Sequence, residues 1–448
     1  MVRKRTFFVL ALAFILLHFA LTLFFLFRWS DALSQSRPLS GLFAPSFGLA
    51  VFTAPVYSIV HNRLPIFTTG LVNSALWGII LALIVTRFGW RGIAVIVIGI
   101  PILIYLGITA AAVILEHRMG PRPQVALRFP RTPENDSAKR IDAFAAALET
   151  KNTRGALNVY LSKQIARGDD VIDEPPQDIR HDLLVHRWDL NALERHLLTS
   201  EAPQWEIDLD KDEQLAVLPH LRLQKMILVD ALESARNGDS NAAWQRVDAA
   251  RRLTEPLAQR PEVIAVLVAI ATTENQLGAA RKLDPPAQFP LQRFDPHARL
   301  IDSIEAETAT RRISAPWFIR PYVRVCIAEA TVDGVKAVRT IRNLRGCFFQ
   351  APPVKDDFLF VPFNPIGFIS PLEASRFAVG ANRLLVDFDG TERVLAMKRG
   401  LSAAGKAACG AWVVDRTVLH LVPPLPPAPP ALPTRHQIIV RPASRASS

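Results

Sequence analysis

"LLVDFDGT", residues 384–391, joins an apolar run to two aspartates, a glycine and a threonine. Read as a strand that ends in an acidic turn, it would place two carboxylates at the edge of an α/β sheet. Read as a helix, it would place them on a polar face. The surrounding sequence, "SPLEASRFAVGANRLLVDFDGTERVLAMKRGL", favours the helix. It sets Phe377, Ala381, Leu384, Leu385, Phe388, Leu395 and the methyl of Thr391 along one broad stripe, the spacing of an amphipathic helix. Ser370-Pro371 with Glu373 is a helix start, and Arg399-Gly400 is a stop. Gly390 opposes the helix by about 1 kcal/mol against alanine, too little to outweigh the stripe.

The octet also resembles the first motif of the haloacid-dehalogenase-like phosphohydrolases. That resemblance implies Asp387 as a nucleophile toward phosphorus, Asp389 as acid/base and magnesium near both. It further implies a doubly wound parallel sheet, a downstream Ser or Thr, a Lys for the phosphate charge and a further metal-binding acid. After Glu392 the only acid is Asp415, and just 57 residues follow Thr391. "KDD" at 355–357 would serve only a permuted fold. Asp387 and Asp389 therefore stand as the only catalytic candidates and as expected polar-face residues of a packed helix. No cofactor is expected.

Outward from this segment, charge divides the chain. Residues 1–120 carry 9 Lys and Arg against 2 acids, and the remaining 328 residues carry 43 against 39. The near balance in the larger part excludes the concentrated basic face of a nucleic-acid binder. The uncharged apolar stretches 6–27, 64–86 and 93–115 are each long enough to span a bilayer. Met1-Val2-Arg3-Lys4-Arg5 precedes the first, whose apolar region is too long for a signal peptide. Arg3, Lys4, Arg5, Arg87 and Arg91 place the N-terminus and the second link inside. Residues after about Glu116 then lie outside. The uncharged, proline-broken stretch 38–60 is expected to be interfacial or re-entrant. His18 and Asn73, inside the spans, are expected to hydrogen-bond a neighbouring helix.

The part beyond the spans reads as helical. Ile141, Phe144, Ala145 and Leu148 share one face; Leu157, Tyr160, Leu161 and Ile165 share another. "GDDVIDEPPQDI" reads as an acidic linker. Residues 218–283 resemble tetratricopeptide-type helical hairpins. There Trp244, Val247, Ala250, Leu253 and Leu257 form a stripe, Ser240 is the expected N-cap, and the first half of "PEVIAVLVAIATTENQLGAARKL" is apolar all round, a mark of burial. The fold expected is thus mainly α: three transmembrane helices, then an irregular α-helical bundle or short helical-hairpin (tetratricopeptide-like) domain. The expected domains are 1–116 in the membrane, 117–422 outside it, and a proline-rich disordered tail over 423–448. The run from "WFIRPYVRVC" through "FNPIGFISPLEASR" resembles parts of uncharacterised bacterial envelope proteins with few N-terminal spans and a helical outer domain. This resemblance implies no activity.

Of the three cysteines, Cys326 and Cys347 bracket one helix and are the expected disulfide, with Cys409 free. Phe358, Phe360 and Phe363 form an apolar run that fills a core or meets a lipid or partner. No metal site is expected. "DLDKDE", 208–213, has Glu213 and Pro219 where a calcium loop needs Gly and Glu. His181, His186 and His196 lack one-face spacing, and His186 suits an ion pair with Asp182. The function expected is a membrane-anchored interaction or scaffold protein of the bacterial inner membrane. Its N-terminus is cytoplasmic, its C-terminal domain periplasmic, and its partners are the bilayer and other envelope proteins. The alternatives are a lipid-handling or sensory module, or the phosphohydrolase.

Overall fold

A computed structural model describes residues 2–34, 46, 66–89, 91–92, 98–119, 125–148, 154–209, 216–286, 293–310, 316, 319–348, 371–407, 409–422 and 437–439. The chain is mainly α-helical and forms two compact units. The first comprises Met1–Pro123, Arg311–Lys336 and Pro353–Ser370; the second comprises Gln124–Thr310, Ala337–Pro352 and Pro371–Ser448.

In the first unit, α1 (Val2–Ser34), α2 (Ile66–Phe88) and α3 (Ile100–Met119) carry the apolar stretches. α1 packs along α2. A side chain at Gly78 would bring its Cβ within 2.3 Å of Ile15 Cγ1, so the missing side chain is what lets the helices close. His18 Nδ1 lies 2.9 Å from Ser74 Oγ across this seam, and Asn73 is fully buried. Phe8, Leu12, Leu16, Leu76, Leu83, Leu103 and Leu106 face outward, as residues solvated by lipid do. α3 is packed by the first part of α13 (Arg320–Asn343): Ala111, Ala112 and Leu115 form a cluster with Ile319, Tyr322, Val323 and Cys326, and Arg324 forks onto Glu116.

Among the described residues, three helical runs are long and apolar enough to cross a membrane: Arg5–Asp31, Gly70–Phe88 and Val263–Ala280. The first two match expected spans. The third does not: it is α11 (Val263–Ala280), in the second unit, where Ala265, Val266, Ala269 and Leu277 are buried by protein. α6, α9, α10, α12 and α14 all pack on it, so its all-round apolarity serves a core. The expected span 93–115 corresponds to α3, whose apolar run is the shorter Ile102–His117; residues 93–97 lie outside the described residues.

The second unit contains α4 (Val125–Arg128), α5 (Asp136–Ala147), α6 (Arg154–Ala166), α7 (Gln177–Val185), α8 (Arg187–Thr199), α9 (Val217–Arg236), α10 (Ser240–Thr254), α11, α12 (Pro296–Thr310) and α14 (Pro371–Lys398). The expected stripes are its core: Ile141, Leu157, Tyr160, Leu161, Ile165, Trp244, Val247, Ala250, Leu253 and Leu257 are all buried. Asp239 rather than Ser240 caps α10, accepting from Ala242 N at 2.9 Å. Gly238, at φ +86°, closes α9 with the hydrogen bonds Gly238 N to Ala235 O and Asp239 N to Ser234 O, the Schellman pattern. The acidic stretch after Ala166 is no loose linker. Arg167 donates to Asp169 and Asp173, and buried Lys282 donates to the carbonyls of Asp169 and Val171.

One element differs in kind from the helical expectation. β1 (Gly405–Ala407), β2 (Gly410–Asp415), β3 (Val418–Val422) and β4 (Gln437–Ile439) form an antiparallel meander in chain order. Asp415 pairs with Val418 across a two-residue turn whose Arg416 has φ 55°. β4 lies inside the stretch expected to be a disordered tail, and it pairs with β3. Residues 423–436 and the stretch 38–60 expected to be interfacial, apart from Ser46, lie outside the described residues.

Candidate interaction surface and ligand cleft

"LLVDFDGT" lies in the middle of α14, not at a strand end. The helix starts at Pro371 and stops with Gly400 at φ +75°, where Gly400 N donates to Met397 O and Leu401 N to Ala396 O. It is buried on two sides. Leu384, Phe388, Thr391 and Leu395 face the helices, while Val386 and Val394 pack with Trp412, Leu419 and Leu421 of the sheet. The aspartates divide between these sides, because positions two apart on a helix point about 200° apart. Asp387 faces Arg281 at 3.6 Å. Arg281 also donates to Thr391 Oγ1 at 2.8 Å, and Thr391 donates to Asp387 O at 2.6 Å. Asp389 faces the sheet: Trp412 Nε1 donates to it at 2.5 Å and Arg393 Nε at 3.2 Å. Arg393 further donates to the carbonyls of Ala403 and Lys406. The two carboxylates therefore share no site, and each acts as a fastener of α14.

The disulfide joins Cys347 to Cys409, with Cα atoms 5.3 Å apart, and Cys326 is a buried thiol that takes no part in it. This corrects the expected Cys326–Cys347 bond. Cys326 lies inside α13 and packs with Tyr322 and Ala328, while Cys347 lies past the helix end. At about 1.5 Å per residue the helix from Cys326 to Asn343 is about 26 Å long, too far for the four residues beyond it to bring Cys347 back to Cys326. Asn382 of α14 fixes the same loop: it accepts from Gly346 N and donates to the carbonyls of Leu344 and Phe348. Phe358, Phe360 and Phe363 lie outside the described residues.

Among the described residues no group of His, Cys, Asp and Glu forms a metal site. His196 sits between Ser137 Oγ at 3.0 Å and Ser200 Oγ at 2.9 Å. His186 approaches Asp189 at 3.9 Å. Asp208 of "DLDKDE" pairs with Arg131 at 2.9 Å, while residues 210–213 lie outside the described residues.

Two features remain that the sequence stripes did not reveal. The first is an apolar cluster at the junction of α7 and α8. Ile179 and Leu183 bury one face of α7, and Leu190, Leu193 and Leu197 bury one face of α8. His186 links the two helices. That geometry turns Leu184, Val185 and Trp188 outward, and they are 70%, 59% and 87% exposed. Two adjoining large aliphatic residues and an exposed tryptophan do not stand out in an apolar–polar count; only the orientation of the joint distinguishes them. Asp178, Arg180, Asp182, Arg187 and Asp189 surround them in sequence, and Arg187 and Arg246 are held by buried Asp230.

The second is a cleft of about 310 Å³ bounded by α10, α11, α12 and α14. Its apolar wall includes Leu277, Phe294 and Phe388; the two rings meet edge to face with centroids 6.3 Å apart. Arg251, Arg293, Arg299, Glu255, Asp295 and Asp302 line the rest, with Thr254, Thr273 and Gln276. The octet thus contributes its phenylalanine, not its aspartates, to a concave surface. Phe388 was expected only as a core residue; its position beside a cleft depends on the tertiary placement of α12.

No protein-family model, curated protein or solved structure matches the chain. What fold and surface define is a class: a mainly α-helical protein with helices able to cross a membrane, joined to a helical unit that carries a small C-terminal sheet.

Proposed function

We propose that the chain is a membrane-anchored interaction or scaffold protein of the bacterial cell envelope. On this reading α1, α2 and α3 span the inner membrane, the N-terminus is cytoplasmic, and the second unit works in the periplasm. The observation that carries it is the exposed Leu184, Val185 and Trp188 cluster. Contiguous exposed apolar residues ringed by polar ones are typical of protein-binding surfaces, and tryptophan is the residue most enriched at their energetic centres. The charges around the cluster are mixed, with Asp178, Asp182 and Asp189 offsetting Arg180 and Arg187. A surface that lies on anionic lipid would instead carry basic flanks, so a protein partner is favoured. The placement draws on Arg3, Lys4, Arg5, Arg87 and Arg91 and on the Cys347–Cys409 bond, which suits an oxidising compartment.

The test is co-purification of the full chain after cross-linking in its own cells. The wild type retains a defined protein partner that the Trp188→Ser, Leu184→Ser double variant loses. A wild type that retains none, or a partner retained equally by the variant, contradicts the proposal. A phosphatase reporter fused to the C-terminus is active when the second unit is outside; an inactive one reverses the placement. The phosphohydrolase alternative gains no support from two aspartates fastened to opposite sides of one helix.

A further inference from the structure

We propose that the cleft beside Phe388 binds a small organic carboxylate with an apolar, ring-sized body, and that Arg299 takes its carboxylate group. The proposal is independent of the partner surface. The volume of about 310 Å³ lies at the lower end of small-molecule sites, about 300–1,000 Å³, so the ligand is compact.

The charges of the lining select its sign. Arg251 is paired with Asp248 at 2.8 Å and with Glu255 at 3.1 Å. Arg293 forks onto Glu392 while lying 6.0 Å from the Phe388 ring centroid. Asp295 caps α12, accepting from His297 N and Ala298 N, and pairs with Arg345 at 2.6 Å. Asp302 holds Arg128 at 2.8 Å. Each carboxylate of the lining is thus matched by a cation. Among the described residues Arg299 is the one lining charge with no ion pair or side-chain hydrogen bond. A single unmatched guanidinium favours a monoanion, and its planar fork fits a carboxylate with two parallel hydrogen bonds. A phosphate monoester, mostly a dianion at neutral pH, would need a second unmatched cation.

The neutral wall adds a further preference. Thr254 and Thr273 donate their hydroxyl protons to Ala250 O and Ala269 O. They are left with acceptor lone pairs, which suit a ligand hydroxyl or N–H. The Phe294 and Phe388 rings and Leu277 provide the apolar contact. A hydroxyl-bearing aromatic acid combines all three properties.

The test uses the full chain in lipid nanodiscs and ligand-detected NMR, with 4-hydroxyphenylacetate as probe. Its neutral amide, the amine tyramine and phenyl phosphate serve as comparisons. The acid is expected to saturate in the millimolar range or below, with the amide and the amine about tenfold or more weaker, the size of one charge-assisted hydrogen bond. Arg299→Gln is expected to weaken the acid by the same factor and leave the amide unchanged. Arg299→Lys recovers part of the loss. Because Arg299 holds no other side chain among the described residues, the melting curve of the variant should match the wild type; the comparison of acid with amide on the wild type does not depend on it. Equal binding of acid and amide, tightest binding of phenyl phosphate, no saturation by the acid, or an acid affinity indifferent to Arg299→Gln would each overturn the proposal.

Discussion

Asp387 and Asp389 are two positions apart in sequence and face opposite sides of α14. Their different partners give each a structural role that can be measured. Asp387→Asn keeps the shape but removes the charge that balances buried Arg281. The expected cost is about 1–3 kcal/mol, seen as a lower denaturation midpoint, with no change in hydrolysis of a generic phosphoester with magnesium present. A wild-type phosphatase activity lost in this variant would refute the structural role. A second residue gives the pH dependence. His297 is fully buried, and burial holds its pKa below the ordinary value, against the opposing pull of Asp295. The native state then binds fewer protons than the unfolded chain. Its contribution is fully present above about pH 6.5 and is lost as pH falls from there through the lowered native-state pKa. Melting temperature should drop as pH falls below about 6.5, and His297→Gln should flatten that drop. An unchanged slope would show that other groups set it.

At the scale of elements, the seam of α1 and α2 depends on Gly78. Gly78→Leu must push Ile15 aside and should cost about 1–3 kcal/mol in detergent melts. Gly107→Leu in α3 meets nothing within 4 Å and should be neutral. Equal effects would mean that helix propensity, not packing, governs both. The same scale shows why some elements were legible. Stripes such as Leu157, Tyr160, Leu161 and Ile165 follow the 3.6-residue period, and each proved to be a buried face. The helical nature of 370–400 was readable from Phe377 through Leu395 for the same reason. Val386 and Val394 were not readable as a second buried face, because the sheet they meet was missed. That sheet alternates with period two, Trp412 and Val414 against Leu419 and Leu421. However, its β2–β3 turn, Arg416-Thr417, has no glycine or asparagine to announce a hairpin. The disulfide was misassigned because sequence separation carries no distance; only the geometry of α13 excludes Cys326.

For the whole molecule, the apolar runs divide by solvent. α1 and α2 expose their leucines and phenylalanines, whereas α11, shorter and less apolar but still able to cross a membrane by length and composition, is enclosed by protein. Composition alone cannot separate a span from a core helix of this length. What separates them is neighbouring amphipathic helices, present around α11 and readable in the stripes of α6, α9 and α10. The candidate surface was the least legible part, since Trp188 acquires its exposure from the α7–α8 joint and the cleft from where α12 meets α14. The central claim is that this exposed cluster engages a protein partner. The most direct measurement places a photo-crosslinking amino acid at position 188 of the full chain in living cells, with exposed Val159 as the comparison position. The account predicts a discrete protein adduct from position 188, absent from position 159 and lost with Leu184→Ser. Lipid adducts alone, or no adduct at position 188, would contradict it.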